Sequence, residues 1–251
     1  DKKSFLLMTS QIVTINNKKY RSDCFSKRDL NNIKIHEWCI GDHLKQLQEL
    51  GFDYTKYWQI GVKSRYKDEN VEFEISHANS FFEIPGKNTY MLHLSGSDGA
   101  VLILDKNLEN IIWSKKFNQF TFDEKNYKTQ VHDAQLTPQG TLLIYFSRIE
   151  DREGKLHSRL VELDANTGQI IWQYQRQPLE SFYAPITSSL NLLTNGHILF
   201  NDNGWAYEID RNGKTIWKFK NPSQNNGWPL NIMVLRPFYN LDFLKSRNLI
   251  D

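Results

Sequence analysis

The chain has 251 residues, of which 39% are hydrophobic, 24% charged and 13% aromatic, with a formal charge of +2 and an isoelectric point near 8.4. That composition is globular, and no stretch approaches the ~18 to 20 consecutive apolar residues of a membrane helix. Lysine and arginine are scattered rather than striped, which argues against a nucleic-acid partner and leaves any anionic ligand to a few local groups.

Residues 1–40 read as a divergent first repeat unit whose last strand is IKIHEWCI (33–40), with Trp38 in a position that recurs later. Cys24 and Cys39, fifteen positions apart, fit either a disulfide or two reduced core thiols. If the chain is exported they are expected to lie close enough to bridge. No CxxC redox or zinc spacing occurs. The chain starts at Asp1 without an initiator Met or a signal-like segment, so the expectation is that a targeting segment or anchor has been removed or omitted. Residues 41–70 form a connection that opens with a helix, DHLKQLQELG (42–51), with Leu44, Leu47 and Leu50 on one face, Asp42 placed to cap its start and Gly51 its end. The polar and aromatic stretch after it, with Tyr54, Tyr57, Trp58 and Tyr66, holds at most one strand.

Three repeat units follow: SHANSFFEIPGKNTYMLHLS to GAVLILDKNLENIIWSKKF (76–117), VHDAQLTPQGTLLIYFSR to SRLVELDANTGQIIWQYQ (131–175), and SSLNLLTNGHILFNDNGWAYEIDRNGKTIWKF (188–219). Each has a polar start, a strand, a Gly or Asn turn, an apolar strand, a strand ending in Asp105, Asp164 or Asp210, a turn, and Ile-Trp at Trp113, Trp172 or Trp217. Asn195-Gly196, Asn212-Gly213 and Asn166-Thr167-Gly168 supply the positive-φ residues of tight hairpins. Segments such as VLIL, LLIY and ILF are too short between these turns to be helices.

Repeated four-stranded meanders with a fixed Trp predict an all-β chain, a β-propeller with about 40 to 45 residues per blade. At ~45 residues per blade the length allows five to six blades, or a propeller incomplete at its N-terminus. The organisation expected is one propeller domain over 1–251, with repeat-like blades at 71–120, 127–176 and 182–220 and a closing segment at 227–251.

The endings ELDANTGQIIWQY and EIDRNGKTIWKF resemble quinoprotein-type repeats, which non-enzymatic scaffolds also use. More specifically, VHDAQLTPQGTLLIYFSR, SRLVELDANTGQIIWQY, SSLNLLTNGHILFND and the closing NIMVLRPFYNLDFLKSRNLI (231–250), in that order, are similar to the arylsulfotransferase family. There a His-Asp pair opens one blade, and a Ser-Ser pair followed by Leu-x-Asn-Gly opens the next. The resemblance covers about residues 71–250. It implies transfer of a sulfuryl group from a phenolic sulfate ester to a phenol through a sulfo-histidine, with no adenylyl-sulfate cofactor, in a periplasmic or extracellular setting. The implied partner is a small phenolic or sulfated molecule, with no nucleic acid, no membrane span in this chain and no metal; a homo-oligomer is allowed.

Register selects the candidate residues. His132 precedes Gly140 by eight positions, as Ser188 precedes Gly196, and His77 stands at the same blade start one unit earlier. In a propeller such positions converge on the central axis. The chemistry needs a neutral imidazole nucleophile, cationic or polar donors for the sulfuryl oxygens, and a proton donor for the leaving phenolate. His132 is the nucleophile candidate, His77 the proton-transfer group and Arg148 the anion clamp. Asn79 is a neutral donor, Asp133 a group that can fix an imidazole tautomer, and Ser188 and Ser189 are substrate-binding candidates. The departure from the family is a missing third histidine. His93 reads as a strand residue, His197 as a turn-following strand residue, and His157 as part of a solvated hairpin tip, IEDREGKLHSR. Arg159 and Arg236 come from family-like motifs, and each suits pairing with a blade-closing carboxylate equally well. His and Asp at blade starts also serve buried hydrogen-bond networks, so a non-catalytic binding or scaffold propeller stands as the alternative.

Overall fold

A computed structural model describes residues 4–52, 71–84, 86–94, 99–117, 119–122, 125–185, 188–225, 228–229 and 232. The helix-following stretch from residue 53 to 70 and most of the closing segment, including Arg236, lie outside the described residues. The chain divides into two compact units, residues 1–186 and 187–251. It is all-β with one short helix, built of the four-stranded antiparallel meanders that serve as β-propeller blades. Among the described residues no helix is long and apolar enough to cross a membrane.

The first unit holds three sheets. In the first, β1 (Ser4–Ile15), β2 (Lys18–Asp29) and β3 (Lys34–Cys39) form a meander, and β4 (Val71–Glu74) runs parallel to the start of β2. Residues 71–74 therefore pair with the first sheet rather than with the repeat that follows them. Cys24 and Cys39 face each other across β2 and β3 and are joined by a disulfide. The second sheet is β5 (Ala78–Ile84), β6 (Thr89–Leu94), β7 (Ala100–Leu104) and β8 (Ile111–Lys116) in sequential order. The third contains β9 (Gln119–Phe122), β10 (Lys125–Leu136), β11 (Thr141–Glu150), β12 (Leu156–Asp164) and β13 (Ile170–Tyr174). It has a fifth strand because β9 pairs with the first residues of β10, which starts at Lys125, before the repeat unit begins at 131.

The period-2 alternation of β6 and β7 explains how these sheets stack. Tyr90, Leu92, Leu94, Ala100, Leu102 and Leu104 join the first sheet's Tyr20, Phe25 and Trp38 in one core. The intervening Met91 and Val101 turn to the other face, where Val131, Ile144, Phe146 and Val161 of the third sheet meet them. The second sheet is thus apolar on both faces, and each side chain removed from water there contributes on the order of 1.5 to 3 kcal/mol.

The aspartates that end strands are turn-formers. Oδ1 of Asp29, Asp105, Asp151 and Asp210 each accepts N–H bonds from the residues two and four positions on, and Asp164 from Asn166 and Thr167. Thr167's backbone and hydroxyl hold the Asp164 carboxyl below its ordinary range. At Asp105 burial opposes ionisation, but N–H donors from Glu109, Asn110 and Asn107 outweigh it. Two residues before each repeat aspartate, Ile103, Glu162 and Glu208 face Trp113, Trp172 and Trp217, and a register shift follows in every case. The tryptophans accordingly occupy equivalent places on the outermost strands.

The second unit contains the fourth sheet: β14 (Leu190–Leu192), β15 (Ile198–Asp202), β16 (Trp205–Ile209) and β17 (Thr215–Lys220). Its Trp217 is 46% exposed and stacks on Phe219. The helix α1 (Leu44–Glu49) is shorter than expected: residues 40–43 form a 3-10 turn, and no side chain caps either segment. Asp42 instead accepts from Gln11 Nε2. The stop at Gly51 holds, with φ of +79° and an N–H bond to the Gln48 carbonyl. Leu47 is buried but Leu50 is exposed.

Candidate functional site

The histidines of the second and third sheets come together where β5 begins, β6 ends and β10 bulges. His132 sits in a β-bulge: Val131 faces Phe146 and Asp133 faces Tyr145, with register shifts on both sides of Val131 and none of the paired positions taken by His132. A bulge re-aims a side chain out of the ladder's alternation. Asn79 Nδ2 donates to the His132 carbonyl at 3.3 Å, tying the start of the second sheet to the bulge. Asp133 is buried, and its Oδ1 accepts the Ala134 N–H at 3.0 Å.

His77 precedes β5 in the left-handed region at φ +48°, an arrangement that costs a non-glycine residue energy and is kept only where surroundings impose it. Its Nδ1 lies 3.1 Å from Glu74 Oε2. Glu74 is buried and paired with Arg21 Nη1 at 2.6 Å, and Arg21 Nη2 also reaches Asp23 Oδ1 at 3.1 Å.

His93, read from the sequence as a strand residue, lies within β6. It faces Ser80 across β5 and β6 and is fully buried at 0% exposure. Burial above all, then the charges of His132 and, more weakly, His77, push its pKa down to about 3. The His132 backbone is near enough to favour the protonated ring, but it lies outside hydrogen-bond geometry, so among the described residues neither ring nitrogen has a hydrogen-bond partner. Buried polar atoms in native proteins are nearly always satisfied by protein, water or ligand. The sequence signal was the polar letter in the apolar run TYMLHL, indistinguishable there from an ordinary strand residue.

Arg148 faces Gln130 in the ladder, is exposed, and lies 3.5 Å from Glu150. In the second unit Ser188 and Ser189 are buried, and Asn201 Oδ1 accepts both the backbone N–H and the hydroxyl of Ser189, at 2.6 and 2.7 Å. His197, expected as a strand residue, sits one position before β15, where it pairs with Glu208 at 2.6 Å. His157 departs from the solvated hairpin expected for it: it is buried within β12, edge-on to Tyr127, with its pKa lowered by burial and by Arg159. The charged tip ends at Lys155, two residues earlier than the letters suggest. Arg159 is buried too, over the Phe122 ring and bonded to Gln173.

A cleft of about 650 Å³ between the second and third sheets is lined by Ile84, Ile103, Trp113, Leu136, Asp164 and Asn166. Thr89, which also lines it, and His93 lie at opposite ends of β6. Four residues at ~3.4 Å place the cleft roughly 14 Å from the histidines. Among the described residues no group of three or more His, Cys, Asp or Glu side chains is arranged to hold a metal.

No family model matches the sequence, and no curated protein does. Among solved structures the chain is similar to a protein of unknown function from Bacteroides caccae, at 11% identity and a TM-score of 0.43, covering 85% of this chain and 57% of that one. It is also similar to a europium-containing methanol dehydrogenase, at 10% identity and a TM-score of 0.37, covering 79% and 57%. The chain spans a little over half the length of each.

Proposed function

We propose that the histidine-bearing end of the second and third sheets carries an arylsulfotransferase-like site. The observation that carries this reading is His93: a buried, neutral imidazole with two unsatisfied nitrogens beside His77 and His132, where a ligand oxygen would complete its hydrogen bonding. His132 attacks the sulfur of an aryl sulfate, the bond from sulfur to the phenolic oxygen breaks, and His77 in its protonated form gives the departing phenolate a proton. In the return half-reaction His77 accepts the proton of an incoming phenol, whose oxygen attacks the sulfo-histidine and restores His132. His93 donates its one N–H to a sulfuryl oxygen. Arg148 serves as the anion clamp by exchanging Glu150 for the sulfate, a small cost because exposed ion pairs contribute only about 0 to 1 kcal/mol. Asn79 holds the bulge and Asp133 orients the His132 segment. The disulfide supports a periplasmic or extracellular location, where such bonds persist.

A non-catalytic scaffold is favoured by two other observations: Arg148 already has Glu150, and Ser189 is occupied by Asn201. The discriminating experiment incubates the purified chain with a panel of aryl sulfates, following phenol release and the mass of histidine-containing peptides. Phenol release together with a sulfo-histidine at position 132 supports the enzyme. A folded chain that releases no phenol from any member of the panel supports the scaffold.

A further inference from the structure

We infer that Glu74, held by Arg21, is the positioning residue that sets the tautomer of His77, so that Nε2 rather than Nδ1 is the nitrogen with which His77 exchanges protons. Residues 74–78 are gathered around the buried start of β2. Asp23 Oδ2 accepts both the Ser76 hydroxyl and the Ala78 N–H at 2.7 Å, Ser76 Oγ accepts the Asp23 N–H at 3.0 Å, and the Ile75 N–H bonds the Arg21 carbonyl at 3.0 Å. His77 is thus pinned on both sides in its left-handed conformation, with Nδ1 against Glu74. An ionised carboxylate only accepts, so a neutral His77 must carry its proton on Nδ1 and its lone pair on Nε2. Arg21 spans Glu74 and Asp23, placing its guanidinium against both carboxylates. Nothing in the motif SHANS announces this: Arg21 and Asp23 stand more than fifty residues earlier, and the parallel pairing of β4 with β2 delivers them.

The tautomer follows from the geometry alone, whereas its role in proton transfer rests on the sulfuryl-transfer reading; two measurements keep them apart. Long-range imidazole ¹⁵N spectra of the unmodified chain, recorded where the ring is neutral and assigned with His77→Gln, are expected to show Nδ1 protonated. Glu74→Gln has one acceptor oxygen, which Arg21 takes, so its amide N–H₂ faces Nδ1 and the ring is expected to switch to the Nε2–H form. An Nε2–H signal in the unmodified chain overturns the inference without any need of the variant, and so does a folded Glu74→Gln chain that keeps Nδ1–H. With an aryl sulfate that turns over, Glu74→Gln is expected to lower kcat at least tenfold with KM changed less than twofold, and Glu74→Asp to restore much of the rate. Unchanged kcat in a chain whose tautomer has switched removes the catalytic role. The absence of all turnover in the unmodified chain sinks the sulfuryl-transfer reading while the tautomer result stands.

Discussion

The third and fourth sheets begin with the same grammar and end differently. Eight residues before a turn glycine, one offers His132-Asp133 and the other Ser188-Ser189, and in both the next strand but one closes on an Asp-turn and a Trp. In the fourth sheet, a single side chain from the neighbouring strand, Asn201, satisfies the backbone and hydroxyl of Ser189 and reaches on to the Ile232 carbonyl at 2.6 Å. In the third, the corresponding strand position is Tyr145, buried and aromatic, and the ladder opens into a bulge at His132. The same register therefore builds a closed hydrogen-bond knot in one place and an irregularity flanked by imidazoles in the other.

Breaking each side of that contrast should give different losses. The largest is expected for His132→Ala, which removes the proposed nucleophile: phenol release and the sulfo-histidine should fall by on the order of a thousandfold or more, with the circular dichroism and unfolding transition unchanged. A loss of folding cooperativity with no chemistry in the parent chain would make the bulge a strut like Ser189.

Next is an acid limb of stability from the neighbouring His93. The unfolded ring takes a proton near its ordinary 6.5, whereas the folded ring refuses it until about pH 3. Between those values the unfolded state binds more protons, so stability falls as pH drops from about 6.5 towards 3, by up to about 1.4 kcal/mol per pH unit. Denaturant unfolding at pH 7, 5.5 and 4 measures it, and a His93→Leu chain should lack this component of the slope.

A control outside both regions is the disulfide of the first sheet. Replacing Cys24 and Cys39 with serine, or reducing the bond, is expected to cost about 3 kcal/mol for a closed loop of this size, read from the shift in unfolding midpoint, and to leave the histidine chemistry intact. The smallest effect sharpens the comparison from the fourth sheet. Asn201→Ala strands the Ser189 N–H and hydroxyl and should destabilise by about 1 to 3 kcal/mol, with no change in the rate of any reaction at His132. A rate loss equal to that of His132→Ala would contradict a purely structural role for this knot.

Much of this was legible before the fold was known, because hairpins are local. The Asp-turns, the positive-φ glycines Gly168, Gly196 and Gly213 and the recurring Trp depend on neighbours within a few residues, and they appear where the letters place them, whereas Asn166, Asn195 and Asn212 do not take positive φ. The termini of α1 were less legible, since a 3-10 turn competes with the helix over 40–43 and Asp42 finds Gln11 instead of a backbone N–H. Burial of His157 was also hidden, because two residues decide whether a side chain belongs to a charged tip or to the strand beneath it.

By itself the sequence determined the strands of the three repeat units, their antiparallel pairing, the equivalence of the repeats and the register that singled out His77 and His132, but not the parallel β4 or the added β9. Period-2 alternation and turn chemistry are written in consecutive residues. Only the tertiary structure decided that His93 shares their place, that His77 is held by Glu74 and through it by Arg21, and that Arg148 turns to Glu150. Those facts depend on which sheet faces stack and on a parallel pairing between strands some fifty residues apart in the chain. A side chain's protonation is set by the desolvation and charges that such stacking brings, and no local pattern of residues encodes them.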